Sequence, residues 1–297
     1  MRMITVLMND RAGGVPGVLE EHGLSLLVQW DARQWLFDCG STGAFLANAD
    51  TLGFSLDNLD GVILSHGHDD HGGGFPALLR RGCTGPLYTG EGFFVPKYSR
   101  KDGRLWKKAP GFGEAELASR QIDHRTVSDA REISPGVWIV SGFPRVTDFE
   151  EIPARFLLKT EAGFIPDLFR DEVCMVLEAG EGLILLLGCA HPGIVNMACH
   201  VTALLGKPLL GIVGGAHLLE AEDARIRKTA AALKNLGTRW LALGHCTGDR
   251  ALELLESCIP LEAGTRLDLQ QPFLRDGMQN PHFTKEPSSD TIKEKAL

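Results

Sequence analysis

Six consecutive residues, His66-Gly67-His68-Asp69-Asp70-His71, constrain this chain more than any other feature. They follow the apolar run 61–64 and precede Gly72-Gly73-Gly74, which leads into an expected helix over 75–81. The cluster therefore sits on a loop at the C-terminal end of a strand. Side chains two apart on extended backbone face the same way, so His66 and His68 can grip one metal ion. The turn that follows sends Asp70 and His71 elsewhere, toward a second. Imidazole combined with carboxylate suits Zn(II), and also Fe(II) or Mn(II). A hydrogen-bonded polar loop without metal is the bland alternative, and the H-x-H-x-D-H spacing weighs against it.

The second half of the chain repeats this placement. Strands are expected at 183–187, 209–213 and 239–243, alternating with helices at 192–205, 221–236 and 249–257. His191 follows the first strand through Gly188-Cys189-Ala190, His217 the second through Gly214-Gly215-Ala216, and His245 the third through Gly244. Asp38 ends the earlier run Trp35-Leu36-Phe37 in the same way. The carboxyl ends of strands are where α/β sheets place their ligands, and glycine lets the backbone turn sharply there. Strand–helix alternation implies an α/β layered architecture. The first half is richer in strands, with a hairpin expected from 24–30 and 34–37. Residues 85–135 lack clean periodicity and are expected to form an irregular insertion or lid on a single domain spanning 1–275. Residues 276–297 are polar and expected to form a mobile tail.

Composition narrows the class of function. The formal charge is −8, a poor default for binding nucleic acid or an anionic membrane. Seven cysteines without a CxxC pair argue against a disulfide framework and fit a reducing cytoplasm. No apolar run approaches a membrane span, and the N-terminus does not read as a secretory leader. Weaker candidates remain. His124 reads as a surface residue and His200 as part of a helix, while His22 and His282 have no metal-like context. Arg145 and Arg155 are candidate clamps for a phosphate or carboxylate, with a plain surface arginine as the alternative.

The H-x-H-x-D-H cluster, Asp38 and the late Gly244-His245 resemble the metallo-β-lactamase superfamily, over about residues 3 to 270. Glu21-His22-Gly23-Leu24-Ser25, Ser65-His66-Gly67-His68, Gly188-Cys189-Ala190-His191-Pro192-Gly193-Ile194 and Gly214-Gly215-Ala216-His217-Leu218 are similar to one branch of it. Members of that branch are described as related to dihydropterin-ribofuranosylaminobenzene phosphate synthases, or as metal-dependent hydrolases. The resemblance implies an αββα sandwich with a metal site at one edge of two packed β-sheets. It makes His66 and His68 ligands of metal one, Asp70, His71 and His245 ligands of metal two, and Asp38 an orienting residue beneath them. The chain departs from the superfamily twice. Its third metal-one histidine usually lies between the cluster and the 183–187 strand, where this chain has His124 in an unsuitable context. Its metal-bridging aspartate is replaced by Cys189, with His191 two residues later. His191 is inferred to supply the missing imidazole, and Cys189 and His217 are further candidates for ligation or for lining the site.

The function expected from this is a metal-dependent hydrolase. One or two divalent ions, zinc foremost and manganese or iron as alternatives, would give a metal-bound hydroxide that attacks a small ester, phosphoester or lactone. Asp70 is the expected catalytic residue, binding metal two and orienting the nucleophile. The alternative suggested by the branch is a pterin-related synthase acting on a phosphorylated substrate. A metal-bound sensor without turnover is a third reading. The expected partner is a small molecule, with no nucleic acid and no membrane, in the cytoplasm; oligomeric state is left open.

Overall fold

A computed structural model describes residues 1–83 and 85–269. The expected tail 276–297 and His282 lie outside the described residues. In chain order the elements begin with β1 (Arg2–Met8), β2 (Ser25–Trp30), β3 (Arg33–Phe37), α1 (Ala44–Thr51), β4 (Gly61–Ile63), α2 (Asp69–Gly72) and α3 (Phe75–Arg80). There follow β5 (Leu87–Gly90), β6 (Lys97–Lys101), β7 (Arg104–Lys107), α4 (Glu114–Ser119), β8 (His124–Val127), β9 (Ala130–Ser134) and β10 (Val137–Val140). The chain continues through β11 (Phe156–Thr160), β12 (Gly163–Pro166), β13 (Cys174–Ala179), β14 (Gly182–Leu187), α5 (Ile194–Leu205), β15 (Leu209–Gly214) and α6 (Asp223–Asn235). It closes with β16 (Trp240–Leu243), α7 (Asp249–Leu254), β17 (Cys258–Pro260) and β18 (Arg266–Asp268).

Two seven-stranded sheets pack face to face, one ordered β18-β1-β2-β3-β4-β5-β8 and the other β17-β16-β15-β14-β13-β10-β9. Between them lies a core that includes Val6, Val28, Trp35, Phe37, Ile139, Met175, Ile184 and Leu186. The outer face of the first sheet is covered by Phe45 of α1, Phe75 and Leu78 of α3 and Leu117 of α4. The outer face of the second is covered by Ile194 and Met197 of α5, Ile226 and Leu233 of α6 and Ala251 of α7. This is the αββα order. Strand β14 illustrates why it forms. Ile184 and Leu186 point between the sheets, and Leu183, Leu185 and Leu187 point at the helices. A strand buried on both faces reads as an unbroken apolar run. Helix α5 then stops at Gly206, whose φ of 63° is the left-handed conformation that ends many helices.

Residues 85–135 are not an irregular insertion. They supply β5 and β8 to the first sheet and β9 to the second. They also supply β6 and β7, which join β11 and β12 in a third sheet of four strands. Their strands are short and mostly peripheral, and β7 is exposed along its whole length. Strands this short, several with few or no buried positions, carry too little alternation of apolar and polar residues to read as strands.

Candidate metal centre

Strands β3 and β4 run parallel, as do β14, β15 and β16. Their carboxyl ends therefore meet along one edge of the sandwich. Asp38, the 66–71 cluster, Cys189, His191, His217 and His245 all emerge there. The backbone at this edge is strained: Asp38, Phe169, Ala190, His217 and His245 have φ between 46° and 60°. Non-glycine residues hold that conformation only where surrounding structure enforces it, and functional sites are where it clusters.

The imidazoles of His66, His68 and His191 form one group, with ring centroids 4.6 to 5.1 Å apart. Ligand atoms of His66, Cys189 and His191 lie within 4.8 Å of one another, as do those of His71, Cys189 and His245. Cys189 is common to both groups, and its Sγ is 3.2 Å from His71 Nε2. Asp70 Oδ2 is 3.5 Å from His245 Nε2. The side chains singled out as ligands thus converge on two adjoining positions, with the Cys189 sulfur between them.

What holds each side chain can be named. Asp38 accepts from the Ser65 N–H at 2.7 Å and from Ser65 Oγ at 2.8 Å, and lies 2.6 Å from His71 Nδ1. A carboxylate on Nδ1 fixes the tautomer and leaves Nε2 facing the site. Gly188 is required beneath this contact, because a Cβ there would lie 2.1 Å from Ser65 Oγ. Gly188→Ala is expected to push Ser65 off Asp38 and weaken metal binding by about 10- to 100-fold, as loss of an orienting partner does elsewhere. Competition with a chromophoric chelator would measure it, and unchanged affinity would contradict this chain of contacts.

On the other side, Lys97 is buried between Asp167 (2.7 Å) and Asp171 (2.8 Å). The second oxygen of Asp171 accepts from the Gly67 N–H at 2.8 Å. Between these acids, Phe169 stacks on His191 with centroids 3.7 Å apart and planes 20° apart. The four-stranded sheet is thereby tied to the ligand loop.

Electrostatics follow from burial. Removal from water pushes His66, His68 and His191 well below the usual imidazole range, so all three are neutral and their lone pairs are free to ligate. Burial would also lower His71, but Asp38 and Asp70 outweigh it and raise the group to about 9. Burial would raise Asp70, yet His71, His22 and His245 keep its carboxylate ionised, well below the usual range. Several ligand atoms are buried without a hydrogen-bond partner: His66 Nε2, His68 Nε2, both nitrogens of His191, and Asp70 Oδ1. Each such atom costs about 1–3 kcal/mol when left unsatisfied. Their convergence fits this donor set to divalent cations, which would satisfy the carboxylate oxygen and one nitrogen of each imidazole.

His217 lies beside this group, its ring 4.3 Å from that of His191. Burial, with Arg155 and Arg225 nearby, brings it down to about 4. A cavity of about 210 Å³ opens over the cluster, and Lys108, Arg155, Phe156 and His217 contribute to its wall. Arg155 lies 4.5 Å over the Phe156 ring and pairs with Glu220. Arg145 instead donates to the Glu150 carbonyl and does not line this cavity. His124 bonds Thr89 Oγ1 at 2.8 Å on β8, and His200 packs on Phe143.

Sequence reasoning missed Asp10 at this edge, and placed His22 in a branch-like motif without giving it a role at the metal centre. His22, read as lacking metal context, has its Nε2 3.1 Å from Asp70 Oδ2. Asp10 lies 2.8 Å from His22 Nδ1 and 2.7 Å from His245 Nδ1. Asp10 follows the end of β1 by two residues, a signal that was available. His22 precedes β2, which is antiparallel to β1, so the start of one strand lies beside the end of the other.

The profile of the metallo-beta-lactamase superfamily matches residues 18–191. A relative from Methanocaldococcus jannaschii, named 7,8-dihydropterin-6-methyl-4-(beta-D-ribofuranosyl)-aminobenzene-5'-phosphate synthase, is 30% identical over 84% of this chain and 88% of its own length. The crystal structure of a metal-dependent hydrolase of the beta-lactamase superfamily superposes with a TM-score of 0.77 at 28% identity, covering 90% of this chain and 99% of that one. Zinc-bound PqqB from Methylobacterium extorquens shares the fold at a TM-score of 0.52 and 16% identity, over 90% of this chain and 99% of its own. With residues 66–71, Cys189 and His191 inside the matched region and the αββα order around them, this chain belongs to the metallo-β-lactamase superfamily.

Proposed function

We propose that this chain is a metal-dependent hydrolase of a small anionic substrate. The observation that carries the reading is the set of buried ligand atoms without partners, gathered beneath one cavity. His66, His68 and His191 would hold one divalent ion and His71, Asp70 and His245 a second, with Cys189 between them. Zinc suits these donors best, with manganese or iron as alternatives. Such an ion lowers the pKa of a coordinated water toward neutrality and polarises a substrate oxygen. The chain's own residues do the rest. Phe156 and Phe169 wall off one side of the imidazole group with apolar rings. Lys108 and Arg155, both beside strands of the four-stranded sheet, reach the cavity while paired with Asp69 and Glu220. A guanidinium there suits a phosphate or carboxylate on the substrate. Esters, phosphoesters and lactones are the candidate classes.

Mass spectrometry of protein purified without chelator should find about two ions per chain, the number this donor set can hold. Chelation should abolish hydrolysis of phosphodiester or lactone probes, and zinc or manganese should restore it. Protein that carries no metal and takes up none would overturn the reading.

A second reading is a synthase joining a pterin to a phosphorylated partner. The 30% identity to the Methanocaldococcus jannaschii synthase over 84% of the chain favours it. Product analysis separates the two: a joined pterin product supports the synthase, and cleaved probes with no joined product support the hydrolase.

A further inference from the structure

We infer that His22 is a further ligand on the His71 side of the metal centre, and that Asp10 orients His22 and His245 together. The inference rests on the metal-dependent reading above and adds to it a side chain from the turn before β2. His22 Nε2 and His245 Nε2 both face Asp70 Oδ2, at 3.1 and 3.5 Å, and the two rings are 5.0 Å apart. Asp70 is therefore approached by both imidazoles through the same atom.

Their opposite nitrogens are occupied in the same way. Asp10 places Oδ2 on His22 Nδ1 at 2.8 Å and Oδ1 on His245 Nδ1 at 2.7 Å. One carboxylate thus sets the tautomer of both rings, as Asp38 does for His71. A histidine that served only to cover the surface would not need its Nδ1 fixed by the carboxylate that fixes a ligand.

The backbone holds the arrangement on both sides. Asn9 Oδ1 accepts from the His245 N–H at 3.1 Å and from the Asp10 N–H at 2.8 Å. The Gly23 N–H donates to Asp10 Oδ1 at 3.1 Å, and the Leu24 N–H to the Asp70 carbonyl at 3.2 Å. Gly23 has φ of 145°, and a Cβ on it would meet that Asp70 carbonyl oxygen at 2.5 Å. The His22 turn is therefore pressed against the backbone of the residue its ring faces.

The test is a cobalt(II) titration of metal-free full-length protein, followed by absorption in the visible and by competition with a chelator. His22→Ala should weaken one binding step on the order of 100-fold and shift the cobalt bands, and Asp10→Asn should weaken the same step by about 10- to 100-fold. The His22 side chain is 60% exposed, so the truncated protein should fold and dissolved imidazole should reach the position. Added imidazole should restore affinity and bands in His22→Ala, which it would not do if the ring served only to support Asp70. If His22 is merely an imidazolium paired with Asp70, the variant should bind cobalt as tightly as wild type or more tightly. Unchanged affinity and bands in His22→Ala, whether wild type holds one ion or two, overturn the inference. Wild-type protein that takes up no metal overturns the metal-dependent reading, and the inference with it.

Discussion

His191→Ala is expected to lower turnover on the order of a thousand-fold or more, because losing metal removes several kcal/mol of transition-state stabilisation. Metal content should fall with it while the far-ultraviolet circular dichroism stays that of wild type. The expectation comes from how little else His191 does. Neither ring nitrogen has a hydrogen-bond partner, so truncation breaks no bond inside the protein. The ring is packed between Phe169 and His217 and against His66 and His68. Its backbone N–H, which donates to Glu172 at 3.0 Å, is kept by alanine. His68→Ala should behave alike, its Nε2 being unpartnered too. Full metal and full activity in both variants would sink the ligand assignment.

Lys97→Ala is expected to cost about 3–5 kcal/mol of stability, the range for removing one partner from a buried ion pair. Lys97 has 1% of its side chain exposed, and Asp167 and Asp171 have 2% each. Alanine would leave two buried carboxylates facing each other without a cation. The loss should reach the metal centre, since Asp171 holds the Gly67 N–H. Urea unfolding would measure the stability, with metal affinity followed in parallel. A loss under about 1 kcal/mol, the size typical of an exposed pair, would show that this network is not buried as described.

The parts of the fold buried on two faces were legible in the sequence. The run 183–187 declares itself because every position is buried, and the helices around it through one apolar face each. The expected 192–205, 221–236 and 249–257 helices differ from Ile194–Leu205, Asp223–Asn235 and Asp249–Leu254 mainly at their ends. What failed to register was the periphery, where β6, β7 and β12 have few buried positions and so no pattern. The site divides along similar lines. Residues at the ends of parallel strands were found by one rule, that ligands gather at carboxyl ends. His22, Phe169 and Asp171 lie before antiparallel strands, β2 and β13, whose starts share that edge. No local spacing connects them to the cluster. Lys97 lay in a stretch of mixed lysines and aromatics, and only the packing shows that it is enclosed.

The proposed ligands are divided between sheets that the chain does not finish in order. The first sheet gains its edge strand β18 only after the second has been traced, with Met3 paired to Asp268. His245 likewise comes after all but two of the strands. On a ribosome the chain emerges from its N-terminus, so His66, His68 and His71 are made long before their partners. The full set of proposed ligands, His245 included, is not present until more than four-fifths of the described chain has been synthesised. The proposed metal centre would therefore be completed late in the synthesis of each molecule, well after His22, His66, His68 and His71 have been made.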